Sequence, residues 1–456
     1  MLGIAIIGVV ACIHDEYSNE SVLPQPEGKQ RSYLQLKINS AVSSRIINAN
    51  DQVFIDDNVI HHLDIYLLQK HGEDYVVVDK IWRDNVREGE PSEEDGLLHN
   101  VLVKTNVDPG LYALYVVANA KQEFKDNILV DKDGYQQINK EIIYPLDVGA
   151  VIDKIEKGIM VMSNQNRNNK GLYTNVVQLN YNPRNQPAQG EVSLDRIGAA
   201  ARVVNEDKID YSSLKFEGKE VLLADGYELV VAGFVTLNLP KGTRLSQQWD
   251  MVNNNTEQLL TPTLLANTKE YHHPLSTYAI LTDGKVTGIQ KGAVDQFTTS
   301  PKALIENNSN KAEELAKGLM PLQYATTGVI FCLKIKKKDS ASPSQPFYVQ
   351  AVGNKVRLLP LDGSTTASYL EYPHGMFYTY FIEDPNQVVW GDKYLAIVRN
   401  TAYRVNLKSI SQMGSLYPGG DLPNPEDEEQ RVEKKDTYQV RVTVNRWKNG
   451  SWDIHL

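Results

Sequence analysis

From residue 32 onward the chain alternates apolar and polar side chains again and again with a period of two. Residues 32–39 read SYLQLKIN, with Leu34, Leu36 and Ile38 on one face and Gln35 and Lys37 on the other, the pattern of a half-buried strand. The pattern returns at 60–68, where Leu63, Ile65 and Leu67 alternate, and at 75–78, 98–105, 111–118 and 176–179. Turn formers such as Asp108-Pro109-Gly110 separate these runs. Beyond residue 190 it resumes at 191–204, 227–237, 329–335, 347–352, 355–359, 372–381, 394–398 and 403–410. Helical patterns are few and short: one covers 148–157, and the best spans 301–319, with Pro301 at its start and Gly318 near its end. Strand–helix alternation is absent, so the expected architecture is mainly β: two tandem β-sandwich domains with short helical insertions. The segment NPRNQPAQG at 182–190 offers little that can pack, which puts the domain boundary there, between 46–190 and 191–430.

The last 36 residues carry the most information. An acidic, proline-bearing loop, DLPNPEDEEQ at 421–430, leads into TYQVRVTVNRWKNGSWDIHL at 437–456. Tyr438, Val440, Val442 and Val444 share one face, Trp447 follows, and Asn449-Gly450 signals a hairpin before Trp452 and Ile454 alternate again. A long alternating strand behind a flexible loop can serve as the edge hairpin of its own domain, or it can leave and complete another.

The other end has a different character. Leu2 to Ala11 are apolar or small, too few to span a bilayer as a helix but suited to the core of a signal peptide. Val9-Val10-Ala11 before Cys12 resembles a bacterial lipobox, which makes residues 1–12 a lipoprotein signal and Cys12 the acylated residue. A polar tether and the first strand follow, and then a Ser-rich stretch that exposes Arg45 and Ile46 to proteases.

Composition narrows the function classes. The 456 residues carry 47 Lys+Arg against 57 Asp+Glu, a net charge of −10, which argues against nucleic-acid binding. Two cysteines, Cys12 and Cys332, make neither a disulfide framework nor a thiolate metal site. The sequence contains no HExxH, G-x-S-x-G, Walker loop or GxGxxG. A faint calcium-loop pattern at 131–141 fails, because Leu129 and Lys140 fall where carboxylates are needed. His61-His62 and His272-His273 are adjacent, so on strands they would point to opposite faces. Cys332, in GVIFCLKI, reads as core, and the lysines at 334 and 336–338 read as a solvated strand edge. No metal, cofactor or enzymatic activity is expected. Asp339-Ser340-Ala341 is similar to a three-residue O-glycosylation pattern.

Taken together, several segments resemble the Bacteroidales fimbrillins, the type V pilins. In the C-terminal half they are IVRNTAYRVNLKSISQMG (397–414), YPHGMFYTYFI (372–382) and the terminal VRVTVNRW; in the N-terminal half they are HLDIYLL, GLYALYVVAN and EVSLDRIGAAARV. The resemblance implies transthyretin-like sandwich domains and export as an outer-membrane lipoprotein. It also implies trypsin-like cleavage between Arg45 and Ile46, which discards the first strand with the 13–45 propeptide. Residues 431–456 are then the donor strand or hairpin that fills a neighbour's groove. The implied function is a structural subunit of a surface fimbrium that joins copies of itself and other fimbrial subunits and supports adhesion to host glycans or proteins. The alternative is a non-polymerising lipoprotein of the same fold: a fimbrial anchor, tip or accessory adhesin.

Overall fold

The computed structural model describes residues 32–40, 60–72, 74–84, 98–120, 128–130, 136–138, 143–145, 161–164, 175–203, 208–244, 249–253, 256–259, 271–309, 314, 317–338, 341–361, 370–389, 392–433 and 435–446. Cys12, Arg45, Ile46, Ser340, Trp447 and Trp452 lie outside them, as do the expected helix at 148–157, the 131–135 turn and the Asn449-Gly450 hairpin. The chain is mainly β, as expected. Among the described residues, apart from the α-helical Glu314, the helical elements are single 3-10 turns, such as Leu275–Thr277 and Gln323–Ala325.

The N-terminal half forms one eight-stranded sheet. Its order runs Asp74–Asp84, His62–His71, Gly110–Ala118, Met162–Asn164, Ala188–Arg196, Ser32–Ser40 and Leu98–Thr105, with Val176–Leu179 attached to Gly110–Ala118. The alternation read from sequence sets what each face buries. Leu34, Leu36, Ile38, Leu63, Ile65, Leu67, Leu114 and Val116 point into one apolar cluster. Tyr66, Leu68, Tyr115 and Val117 point the other way, into a cluster shared with the C-terminal half. At its centre this sheet is therefore buried on both faces, which explains near-continuous apolar runs such as ALYVVA.

Strand Ala188–Arg196 is the bridge between the halves. The boundary expected at 190 lies inside it; the strand belongs wholly to the first sheet, and the chain crosses to the next at Ile197, between it and Gly198–Val203. Gly198–Val203 sits in a four-stranded sheet ordered Lys302–Ile305, Gly198–Val203, Thr401–Ile410, Tyr438–Arg446. Beside it stand a three-stranded sheet of Tyr227–Leu237, Gly328–Lys337 and Met376–Phe381 and a five-stranded one that includes Phe347–Val352 and Lys355–Pro360.

The helix expected over 301–319 is overturned at its beginning: Lys302–Ile305 and Asn307–Asn308 are strands. Ala303, Leu304 and Ile305 are all buried, and Lys302–Ile305 pairs antiparallel with Gly198–Ala201 at the edge of the four-stranded sheet. Three consecutive buried apolar residues suit a strand covered on both faces, and the pairing overrides local helix propensity.

Near the start of the fimbrillin-like run, Val398 and Arg399 are bonded within the C-terminal half, and Asn400 ties it to the end of the first sheet. Arg399 Nη2 lies 2.7 Å from Glu306 Oε2 and its Nε 3.0 Å, with both side chains almost completely buried. Asn400 adopts a left-handed φ of 55° and donates from Nδ2 to Asp195 Oδ1 at 2.8 Å, while its Oδ1 accepts from the buried Arg196 at 3.3 Å. Tyr403 donates its hydroxyl proton to Asp384 Oδ2 and accepts from the Val398 N–H, each at 2.8 Å. Removing one member of such a pair strands a buried charge. Glu306→Ala should therefore destabilise the chain by about 3–5 kcal/mol in equilibrium urea unfolding; a loss under about 1 kcal/mol would mean that the pair is solvated.

Candidate functional site

The residues singled out by the sequence fall on two strands with contrasting environments. The first strand, Ser32–Ser40, lies inside the large sheet. It pairs in parallel with Ala188–Arg196, from Leu34 opposite Ala188 to Ser40 opposite Leu194, and antiparallel with Leu98–Thr105. Ser32, Leu34, Leu36 and Ile38 are each 0 % exposed. The strand's start is pinned by three hydrogen bonds: Tyr33 N–H to Asn182 O at 2.8 Å, Asn182 N–H to Ser32 Oγ at 3.2 Å and Thr105 Oγ1 to Ser32 O at 3.1 Å. Lys37 and Glu191 add only an exposed pair at 3.6 Å. Lifting this strand out would leave two unpaired strand edges and uncover Val101, Val103, Leu114 and Val192.

Gly190 shapes the floor of that groove. It stands opposite Leu36, and a Cβ there would meet Leu114 Cδ1 at 3.1 Å, Leu34 Cδ1 at 3.2 Å and Leu36 Cδ1 at 3.4 Å. The absent side chain leaves a notch that leucine methyls fill.

The terminal strand, Tyr438–Arg446, is by contrast an edge. Among the described residues it pairs only with Thr401–Ile410, antiparallel, and the register slips between Leu407 and Ser409. Tyr438, Val440, Val442 and Val444 are half-buried against the core, whereas Gln439, Arg441 and Thr443 are exposed. The alternation read from sequence is thus reproduced, with the strand docked on its own domain.

Sequence reasoning missed a polar latch at the base of this strand. Asp421 accepts hydrogen bonds from Thr379 N–H at 3.0 Å and Thr379 Oγ1 at 2.7 Å, and Lys435 Nζ lies 2.7 Å from its Oδ2. Tyr438 donates to Thr379 O and sets its ring edge-on to Tyr378 and Tyr380. Burial above all, with the nearby Asp421 carboxylate adding to it, holds the Tyr438 phenol far above its ordinary pKa, so it remains a neutral donor. The loop between, expected to be flexible, is a fitted strap. Gln323 N–H bonds Gln430 O at 2.8 Å, Val432 N–H bonds Pro321 O at 2.9 Å, Arg431 reaches Glu314 at 3.0 Å, and Leu422 and Val432 are buried. Its acids Glu426, Asp427, Glu428 and Glu429 stay exposed. The two ends of the strap, at Asp421 and Lys435, meet through contacts far apart in sequence from Thr379, and no local pattern announces them.

The other candidates resolve structurally. Cys332 is buried, donates to His374 O at 3.2 Å, and has its thiol pushed up to about 11 by burial, all against nucleophilic chemistry. His62 Nε2 lies 3.1 Å from Asp64 Oδ1. The expectation that His272 and His273 diverge is overturned: their ring centroids are 3.8 Å apart. The strand ends at His272, and His273 turns into a left-handed φ of 53°, which brings its ring back. Among the described residues no group of three His, Cys, Asp or Glu is placed to hold a metal.

Residues 371–453 match the family model of the major fimbrial subunit protein type IV, fimbrillin, C-terminal. The similarity to that family covers this C-terminal segment, less than a fifth of the chain. The matched span contains Met376–Phe381, Thr401–Ile410 and Tyr438–Arg446, that is, the terminal strand together with the surface that holds it. No curated protein matches the sequence. Among solved structures, a candidate cell-adhesion protein from Parabacteroides distasonis ATCC 8503 aligns with 92 % of this chain and 100 % of its own at 14 % identity and a TM-score of 0.43. The tip fimbrial protein Mfa3 from Porphyromonas gingivalis aligns over 91 % and 100 % at 12 % identity and 0.39, and the fimbrial anchor protein Mfa2 from the same organism over 92 % and 100 % at 10 % identity and 0.25. Likenesses of this size carry no weight for function.

Two predictions follow from the latch and the histidine turn. Asp421→Asn should speed amide hydrogen exchange across Tyr438–Arg446 at least several-fold while leaving Ser32–Ser40 unchanged; equal protection in the variant would remove the latch from the account. Burial, and secondarily the charges of His272 and Lys302, push the His273 pKa from 6.5 down to about 4, so the folded protein keeps it neutral. Its contribution is present above about pH 6.5 and is lost as pH falls towards 4. His273→Asn, which tolerates the left-handed turn, should flatten the fall in urea midpoint over that window.

Proposed function

We propose that the protein is a structural subunit of a surface fimbrium, joined to its neighbours by strand exchange. In this reading residues 1–12 direct export, Cys12 carries the acyl chains that hold the precursor at the outer membrane, and an arginine-specific protease cuts between Arg45 and Ile46. The cut frees the 13–45 propeptide with its strand and opens the groove in the 46–190 domain. The 431–456 segment, extending from the 191–430 domain and including Tyr438, Val440, Val442, Val444, Trp447 and Trp452, serves as donor strand. Acceptor groove and donor strand then lie on different parts of one chain, a heterologous arrangement that builds open filaments.

The observation that carries this reading is the contrast between the two strands. The first buries one whole face, Ser32, Leu34, Leu36 and Ile38, and lies between two partners inside a sheet; the terminal one, among the described residues, is an edge strand held by a single ladder. Both alternate apolar side chains at the same period, so a strand of the second kind can pair in a groove left by the first. The assigned role is structural rather than enzymatic. The second reading, a non-polymerising anchor, tip or accessory adhesin at the cell surface, draws its support from the latch that keeps the terminal strand at home.

Trypsin treatment of the purified precursor tests the two readings. Cleavage at Arg45 should yield SDS-resistant ladders on gels and filaments by electron microscopy, and deletion of residues 437–456 should abolish both. Monomers alone after complete cleavage would favour the second reading. Metabolic acyl labelling lost in Cys12→Ala would support the lipid anchor; labelling that persists would exclude it.

A further inference from the structure

We infer that the groove beneath the first strand prefers a donor bulkier than this chain's own terminal strand, so that its preferred occupant in an assembly is the strand of a different subunit and a copy of this chain is the weaker substitute. That strand would carry leucine or isoleucine at three alternate inward positions, preceded two places earlier by a small polar residue. The inference rests on the strand-exchange reading and specifies the partner.

The present occupant shows what the groove accepts. Its inward positions are Ser32, Leu34, Leu36 and Ile38, all at 0 % exposure. Leu34 faces Ala188 and Val103, Leu36 faces Gly190 and Val101, and Ile38 faces Val192. Over Gly190 the Leu34, Leu36 and Leu114 methyls converge at 3.1–3.4 Å from where a Cβ would stand, so the notch is filled by leucine-sized side chains. At the other end Ser32 is enclosed beside the buried Thr105, and its small hydroxyl accepts the Asn182 N–H.

Tyr438–Arg446 meets that outline badly in the central register and in those within two residues of it. Setting Val440, Val442 and Val444 in the places of Leu34, Leu36 and Ile38 removes one carbon at each and drives the Tyr438 ring into the site of Ser32. Sliding by two residues one way puts Tyr438 in place of Leu34, beside the notch; sliding the other way buries Arg446 where Ile38 lies. Shifting by one residue turns Gln439, Arg441 and Thr443 inward. The best register thus combines three underfilled positions with one overfilled one, and both faults weaken packing. Three missing methylenes alone correspond to roughly a fifty-fold loss of affinity.

Peptide competition on the full-length chain cut with trypsin, after the protease is inhibited, tests this. A fluorescent SYLQLKINS peptide is competed with unlabelled SYLQLKINS, with the native TYQVRVTVNR, and with that peptide carrying Y438S, V440L, V442L and V444I. The expected result is that the substituted peptide competes at least tenfold better than the native one and approaches SYLQLKINS. Native and substituted peptides competing equally, or the native one better, overturns the inference while leaving strand exchange intact. If the cut chain binds none of the three, strand exchange itself fails and the inference with it. In full-length Gly190→Ala, the notch is closed and the preference for leucine over valine should shrink at least several-fold; an unchanged preference would show that Gly190 does not set it.

Discussion

A strand buried in the middle of a sheet must have both of its edges paired, and much of this molecule is organised around that requirement at one place. Ser32–Ser40 satisfies the inner edges of Ala188–Arg196 and Leu98–Thr105 at once and roofs the apolar cluster beneath. Its ladder bonds contribute about 1 kcal/mol apiece, but the unpaired state it prevents costs more, because each orphaned buried group loses its water without gaining a partner. The groove is therefore never an indifferent surface: it is either occupied or a source of instability, and that is what makes a strand a usable connector.

The terminal strand answers to a weaker form of the same requirement. It has one ladder, half-buried side chains and a register slip near its start, and polar contacts at its base add to what holds it. These contacts knit residues 379, 421, 435 and 438 into one small network. The arrangement pins the strand where it leaves the domain and lets the remainder depend on interchangeable apolar contacts, which another surface of similar spacing can replace.

How much of this could be read beforehand depends on whether the information is local. Period-two alternation located the strands well: 98–105, 176–179, 227–237 and 347–352 begin and end where the sequence pattern places them. The start of the helix expected over 301–319 was misread because Ala303, Leu304 and Ile305 owe their strand conformation to Gly198–Ala201, a hundred residues away. The loop at 421–430 looked free because its composition is polar, while its order comes from backbone bonds to Gln323 and from Val432 reaching Pro321. The His272–His273 contact was hidden by a single left-handed residue. For the candidate site, the two strands and their inward faces were legible. The latch and the Gly190 notch were not, since both are defined by residues that come together only in the folded sheet.

One further consequence lies in time rather than in energy. One of the first strand's two partners, the strand from Ala188, stands about 150 residues downstream of it together with Asn182, twice as far along the chain as the other partner, Leu98–Thr105. Long-range parallel pairing closes late and slowly, because the chain must bear the loop-closure entropy before the contact repays it. Until residue 196 has been made, the first strand can hold at most one of its two ladders. The large sheet is thus sealed along a seam whose two sides come from distant parts of the chain, which makes that seam a late part of this half to become rigid.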